Sequence, residues 1–224
     1  MGSSTPPEPM LEFARLLERS RLFEQRLLFL YENCPPGRGD GRSGAAARAA
    51  ELAIEHGGAG RMLFETGMPN AAGVLLRSQY EAVLRGAWAL YAATDDQVAR
   101  MNRPLDPGAE QAAKSLPGAL DMLKSLKARA ASQPNLIHLV GPLEEIGAHD
   151  RCTMSSFVHG GIHPLQRTGS GFPLELAGGL VRMSNGLTHF AFRLLARLGG
   201  PAGVVVQVDR AWQDFADCCP MAPQ

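Results

Sequence analysis

The sequence predicts an all-α fold: a single-domain helical bundle with a central buried helix at about residues 70–92. Three observations carry this. Helix-favouring residues dominate, with 29 Leu and 31 Ala against 10 Val and 4 Ile. Apolar positions recur at helical spacing along most of the chain. Pro and Gly clusters cut the pattern into segments joined by short linkers, as in a bundle. At 224 residues, 45% hydrophobic and 20% charged, the chain is globular and long enough for one well-buried core. One domain is expected over 9–218, with flexible termini at 1–8 and 219–224.

The elements follow in order. Phe13, Leu16, Leu17, Phe23, Leu27, Leu28, Leu30 and Tyr31 define an amphipathic helix over 9–33. Cys34-Pro35-Pro36-Gly37 ends it. Ser43 can cap a second helix to about 66, with a disturbance expected at Gly57-Gly58. Pro69 opens the third helix, to about 92. Thr94-Asp95-Asp96-Gln97 is a capping box for a short fourth helix. A fifth helical region spans 108–132, kinked at Pro117, and a sixth spans 135–148 with Pro142 inside. Residues 149–165 read as helix weakened by Gly160-Gly161 and Pro164, and 166–171 as a polar loop. A long helix over 173–199 and a tail helix over 208–218 complete the chain.

Charge and cysteine content exclude several classes. Lys and Arg number 22, as do Asp and Glu, so no global basic excess marks a polyanion binder. No apolar run reaches a membrane span, because Arg77, Glu81 and Arg85 interrupt the longest candidate. Residues 1–9 have no signal-peptide pattern. Cys34, Cys152, Cys218 and Cys219 form no CxxC pair, and reduced thiols in a cytoplasmic protein are expected. No GxGxxG, Walker loop, GxSxG elbow or HExxH is present. No metal and no cofactor are expected; His159 and His163 have i, i+4 spacing, but the ligand set around them is unspecific.

The third helix is apolar nearly all round, the pattern of a buried helix. Its charges, Arg77, Glu81 and Arg85, follow i, i+4, i+8, so Glu81 can pair with both arginines. An ion pair inside the bundle is expected, and truncating one partner would then cost about 3–5 kcal/mol. The second notable segment is His149 to His163. On a helix, Cys152, Ser155, Ser156 and His163 gather round His159, while Met154, Phe157 and Val158 face away. Small residues there leave room beside an imidazole for a ligand or for a neighbouring backbone. No third segment shows a comparable inward polar cluster. The two are therefore expected to meet in one pocket of Arg77, Glu81, Arg85, Ser155, Ser156 and His163.

Arg77-Ser-Gln-Tyr-Glu81 followed by Ser155-Ser-Phe-Val-His159-Gly160 resembles bacterial HEPN-like helical domains over about residues 65–195. The likeness is to families with an R-x3-E helix and an S-x2/3-V-H-G helix. It implies a helical bundle, often a homodimer, that either binds a nucleotide, RNA or protein partner or acts as a metal-independent ribonuclease. Such systems belong to toxin–antitoxin and phage defence. The ribonuclease signature is Arg, four to six residues, then His. Arg151 and His159 are the catalytic candidates by that resemblance, with seven residues between them. His159 would act as general acid or base, and Arg151 or Arg77 would hold phosphate. The reading adopted is a HEPN-like binding module of a defence or toxin–antitoxin system. The alternatives are the ribonuclease and an unrelated helical domain that binds a small ligand.

Overall fold

The computed structural model describes residues 7–33, 39 and 41–220; the side chains of residues 33, 149–152 and 202 are outside this description. The described residues form α1 (Glu8–Asn33), α2 (Gly41–Glu65), α3 (Pro69–Tyr91), α4 (Asp95–Met101), α5 (Pro107–Ala113), α6 (Ala119–Ser132), α7 (Ile137–Val158), α8 (Ile162–Ser170), α9 (Leu174–Gly199) and α10 (Ala202–Asp214). Single 3-10 turns precede α7 and follow α10, and no strand occurs among these residues. The all-α bundle expected from composition is the fold observed. No helix among the described residues is long and apolar enough to cross a membrane.

Helix α3 lies at the centre, packed by α2, α6, α7 and α9. Leu84, Val83, Ala87 and Trp88 are buried against Met122, Leu126, Leu143, Met154, Leu187 and Leu195. Small residues explain how α2 fits so closely. Ala46, Ala50 and Ala53 are fully buried, and a Cβ on Gly86 of α3 would stand 3.3 Å from the Ala46 carbonyl oxygen. A second core joins α1, α9, α10 and the C-terminal turn through Phe23, Leu27, Phe192, Val208 and Cys218.

Several boundaries differ from the sequence expectation, each for a physical reason. Helix α2 runs unbroken through Gly57-Gly58, because Gly57 provides a helix crossing rather than a break. The fifth region divides at Pro117-Gly118 into α5 and α6. Residues 137–158 form one helix; Pro142 sits in its second turn and frees the His138 carbonyl without ending it. The expected loop at 166–171 is largely helical, as α8. Pro164 falls in the first turn of α8, where its missing N–H removes no helical bond. Helix α10 begins at Ala202, not near 208, and Val204 packs in the second core. Cys219, assigned to a flexible terminus, is buried, and Pro220 lies against Gly186. The Thr94 capping box forms as expected, with Gln97 N–H donating to Thr94 Oγ1 and Thr94 N–H to Gln97 Oε1.

Candidate functional site

Arg77 and Glu81 are one turn apart on α3 and pair as the sequence indicates. The Arg77 Nε donates to Glu81 Oε1 at 2.7 Å, and Nη2 lies 2.6 Å from the same oxygen. The pair is at the lip of the bundle, not inside it: the Arg77 side chain is 16% exposed and Glu81 is 37% exposed. Arg85 is exposed and forms no ion pair among the described residues, so the expected triad reduces to a pair. Arg77 Nη1 is buried and has no hydrogen-bond partner among the described residues.

Beside this pair, α3, α6 and α7 line a cleft of about 230 Å³ that opens to solvent. Arg77, Tyr80, Ala119, Leu120, Leu123, Glu144, Gly147 and Ala148 line it. Tyr80 is buried and donates its hydroxyl to the Leu143 carbonyl at 3.1 Å. Gly147 makes this possible, since a Cβ there would stand 2.5 Å from the Tyr80 oxygen. Glu144 is held by Lys127 from α6. The cleft thus has an apolar wall, a guanidinium with one nitrogen unpartnered among the described residues, and a carboxylate, Glu144, that already has a cationic partner.

His159 is not part of this cleft. Gly73 of α3 faces Phe157, while Tyr80 faces Gly147, so α3 and α7 run antiparallel. His159 follows Phe157 and lies about 9 Å along the bundle axis from the level of Arg77, from the helical rise. It is exposed, and its backbone caps α7 by donating to the Ser155 carbonyl at 3.1 Å. Among the described residues, none of Ser155, Ser156, His159 and His163 lines this cleft.

Ser156, Gly160, Gly161 and His163 build the α7–α8 turn instead. Ser156 Oγ accepts the His163 backbone N–H at 3.2 Å, satisfying a free donor in the first turn of α8. Gly160 has φ of 59°, a left-handed conformation natural to glycine. A Cβ on Gly161 would stand 2.5 Å from Ser156 Oγ. The small residues thus make room for backbone. Arg151 lies in α7, but its side chain, like those of His149, Asp150 and Cys152, is outside the described residues.

The structure also contains inward polar groups that the sequence reading missed. Gln79 is fully buried between α2 and α9. Its Nε2 donates to the Ser184 carbonyl at 3.1 Å and to Thr188 Oγ1 at 3.0 Å, and its Oε1 accepts from Ser184 Oγ at 2.7 Å. Asn185 Nδ2 donates to Ser20 Oγ and to the Cys218 carbonyl. Buried His189 lies 3.3 Å from Asp209, which Arg193 also contacts at 2.9 Å, and its ring packs on Trp212. Burial pushes the Asp209 carboxyl up, but the His189 contact and the Arg193 charge outweigh it and hold the group below the ordinary value. His189 and Arg193 are i, i+4 on α9, the one local signal for this cluster. No group of three or more His, Cys, Asp or Glu side chains suited to a metal occurs among the described residues.

The architecture is an all-helical bundle with a polar-lipped cleft beside its central helix. The chain belongs to a family of unknown function, DUF6988, whose pattern matches residues 50–221, from within α2 to the C-terminal turn. No curated protein and no solved structure matches the chain.

Proposed function

We propose that the protein is a HEPN-like binding module of a bacterial defence or toxin–antitoxin system, and that it takes a nucleotide in the Arg77 cleft. One observation carries the reading: a buried guanidinium nitrogen with no acceptor among the described residues, on a helix beside an apolar cleft. A buried unmade hydrogen bond costs about 1–3 kcal/mol. A ligand supplying a phosphate or carbonyl oxygen recovers that cost on binding. The wall of Leu120, Leu123 and Tyr80 suits a flat, weakly polar base, and Arg77 suits the oxygens of a phosphate. The same proposal includes the homodimer that the HEPN resemblance implies; sedimentation velocity measures it.

Calorimetric titration with AMP, ATP and inorganic triphosphate tests the reading. The nucleotides should bind and triphosphate should not, since it cannot use the apolar wall. Arg77→Met should weaken binding about tenfold or more, from loss of a charged hydrogen bond worth about 1.5–3 kcal/mol. Equal affinity in wild type and Arg77→Met, with both folded by circular dichroism, would refute it. Incubation with labelled RNA separates the ribonuclease alternative: cleavage abolished by His159→Ala would replace the binding reading.

A further inference from the structure

We propose, building on the nucleotide reading above, that Glu144 makes the Arg77 cleft selective for ribonucleotides over 2′-deoxyribonucleotides, by accepting hydrogen bonds from the ribose hydroxyls. Among the residues that line the cleft, three carry polar side-chain atoms: Arg77, Tyr80 and Glu144. Arg77 has the nitrogen that suits a phosphate. The Tyr80 hydroxyl is buried and donates to the Leu143 carbonyl, with Gly147 close against its oxygen. Glu144 is the remaining polar group, and it is an acceptor. Lys127 of α6 holds its Oε1, while Oε2 has no hydrogen bond among the described residues. The other carboxylate nearby, Glu81, is paired to Arg77 at the lip and does not line the cleft.

An ionised carboxylate repels the phosphate of a nucleotide and binds its N–H and O–H donors. Those donors are on the sugar and on the base edge, and position decides between them. Gly147 of α7 stands at the level of Tyr80 on α3, and the two helices are antiparallel. Arg77 is three residues before Tyr80, and Glu144 is three residues before Gly147. The two Cα atoms therefore lie on opposite sides of that level, about 9 Å apart along the bundle axis from the helical rise. A phosphate on Arg77 then turns its own ribose toward Glu144, with a hydrogen bond of about 2.8 Å at each end.

Exposure points the same way. Glu144 is 45% exposed and Lys127 49%, so their pair stands at the mouth of the cleft. The base goes to the apolar wall of Leu120 and Leu123, and the sugar stays at the mouth. Two neighbouring hydroxyls suit Oε2, which has two lone pairs, and Lys127 holds the carboxylate in place beforehand. Because water also reaches Glu144, a missing hydroxyl costs about five- to tenfold in affinity, not the far larger ratio of a closed site.

Calorimetric titration of AMP and 2′-deoxyAMP against wild type, Glu144→Ala and Arg77→Met tests this. Wild type should bind AMP about five- to tenfold more tightly than 2′-deoxyAMP. Glu144→Ala should bind the two alike. Glu144→Gln, which keeps the shape and loses the charge, should narrow the ratio, since a neutral acceptor makes the weaker bond. Arg77→Met should weaken both nucleotides and keep the ratio. Each ratio compares two ligands on one protein, so a general loss of stability cancels. Equal affinities in wild type would overturn the proposal and leave the nucleotide reading standing. A preference that Glu144→Ala retains, or that Arg77→Met abolishes, would overturn it as well. If neither nucleotide binds wild type, both readings fall.

Discussion

Gly57→Ala is the substitution in which helix propensity and packing disagree most. Gly57 lies mid-α2, where alanine would favour the helix by about 1 kcal/mol. The new Cβ would stand 2.6 Å from Gln79 Nε2 and 2.7 Å from Thr188 Oγ1. Gln79 has no exposed surface to retreat to, and its amide is bonded to Ser184 and Thr188. Overpacking costs about 1–3 kcal/mol, and a displaced buried amide left short of a partner costs a similar amount. The net expectation is a loss of about 1–5 kcal/mol after the helix gain. Equilibrium urea unfolding reads it as a midpoint lowered by about 0.5–2.5 M, at a slope of about 2 kcal/mol/M that changes little. Gly179→Ala is the matched control. That glycine is exposed in α9 with nothing within 4 Å of its Cβ, so the same change should stabilise by about 0.5–1 kcal/mol. If both variants shift the midpoint upward, the three-helix polar crossing does not exclude a methyl group and the argument fails.

Other expectations rest on single features. Glu81→Ala should cost about 1–2 kcal/mol in the same assay, between a surface and a buried pair, because Glu81 is 37% exposed; a loss above about 3 kcal/mol would show a deeper pair. Asp209 has a depressed pKa when folded, so its stabilising effect is present above the unfolded value near 3.9 and lost as pH falls through the folded one. Asp209→Asn should lower stability at pH 7 and flatten the decline below about pH 4; parallel profiles would contradict this. Gly160→Ala forces an L-residue into a left-handed conformation and should cost about 1–2 kcal/mol by thermal or urea melts, with Gly160→Asn milder.

Local signals were legible in this sequence and tertiary distances were not. The Thr94 cap, the Pro69 start of α3 and the Arg77–Glu81 pair each depend on residues within one turn, and each forms. The break expected at Gly57-Gly58 depends on what lies across from the glycines. Gln79 and Thr188 lie there, 22 and 131 positions away in sequence, so a helix-weakening residue becomes the one that lets three helices cross. Pro164 departs from the expectation for a smaller reason. Its cost depends on its position within the helix, and moving the start of α8 to Ile162 turns a breaker into a first-turn residue.

The same ambiguity decides which polar residues are available for function. Serine and glycine around a histidine leave space, and a ligand or a backbone can fill it. In the α7–α8 turn the backbone fills it. Ser156 is committed to the His163 N–H, Gly161 to the approach of Ser156, and Gly160 to its positive φ. Arg77 is different, because its availability follows from counting donors. A guanidinium has five N–H groups on three nitrogens, and one carboxylate oxygen engages Nε and Nη2. Nη1 is left buried without an acceptor among the described residues, while the Glu144 carboxylate across the cleft is held by Lys127. Space can be structural or functional, but a buried surplus donor must be satisfied from outside the described residues or remain a standing cost. For that reason the cleft beside Arg77, and not the histidine turn, is the ligand site proposed.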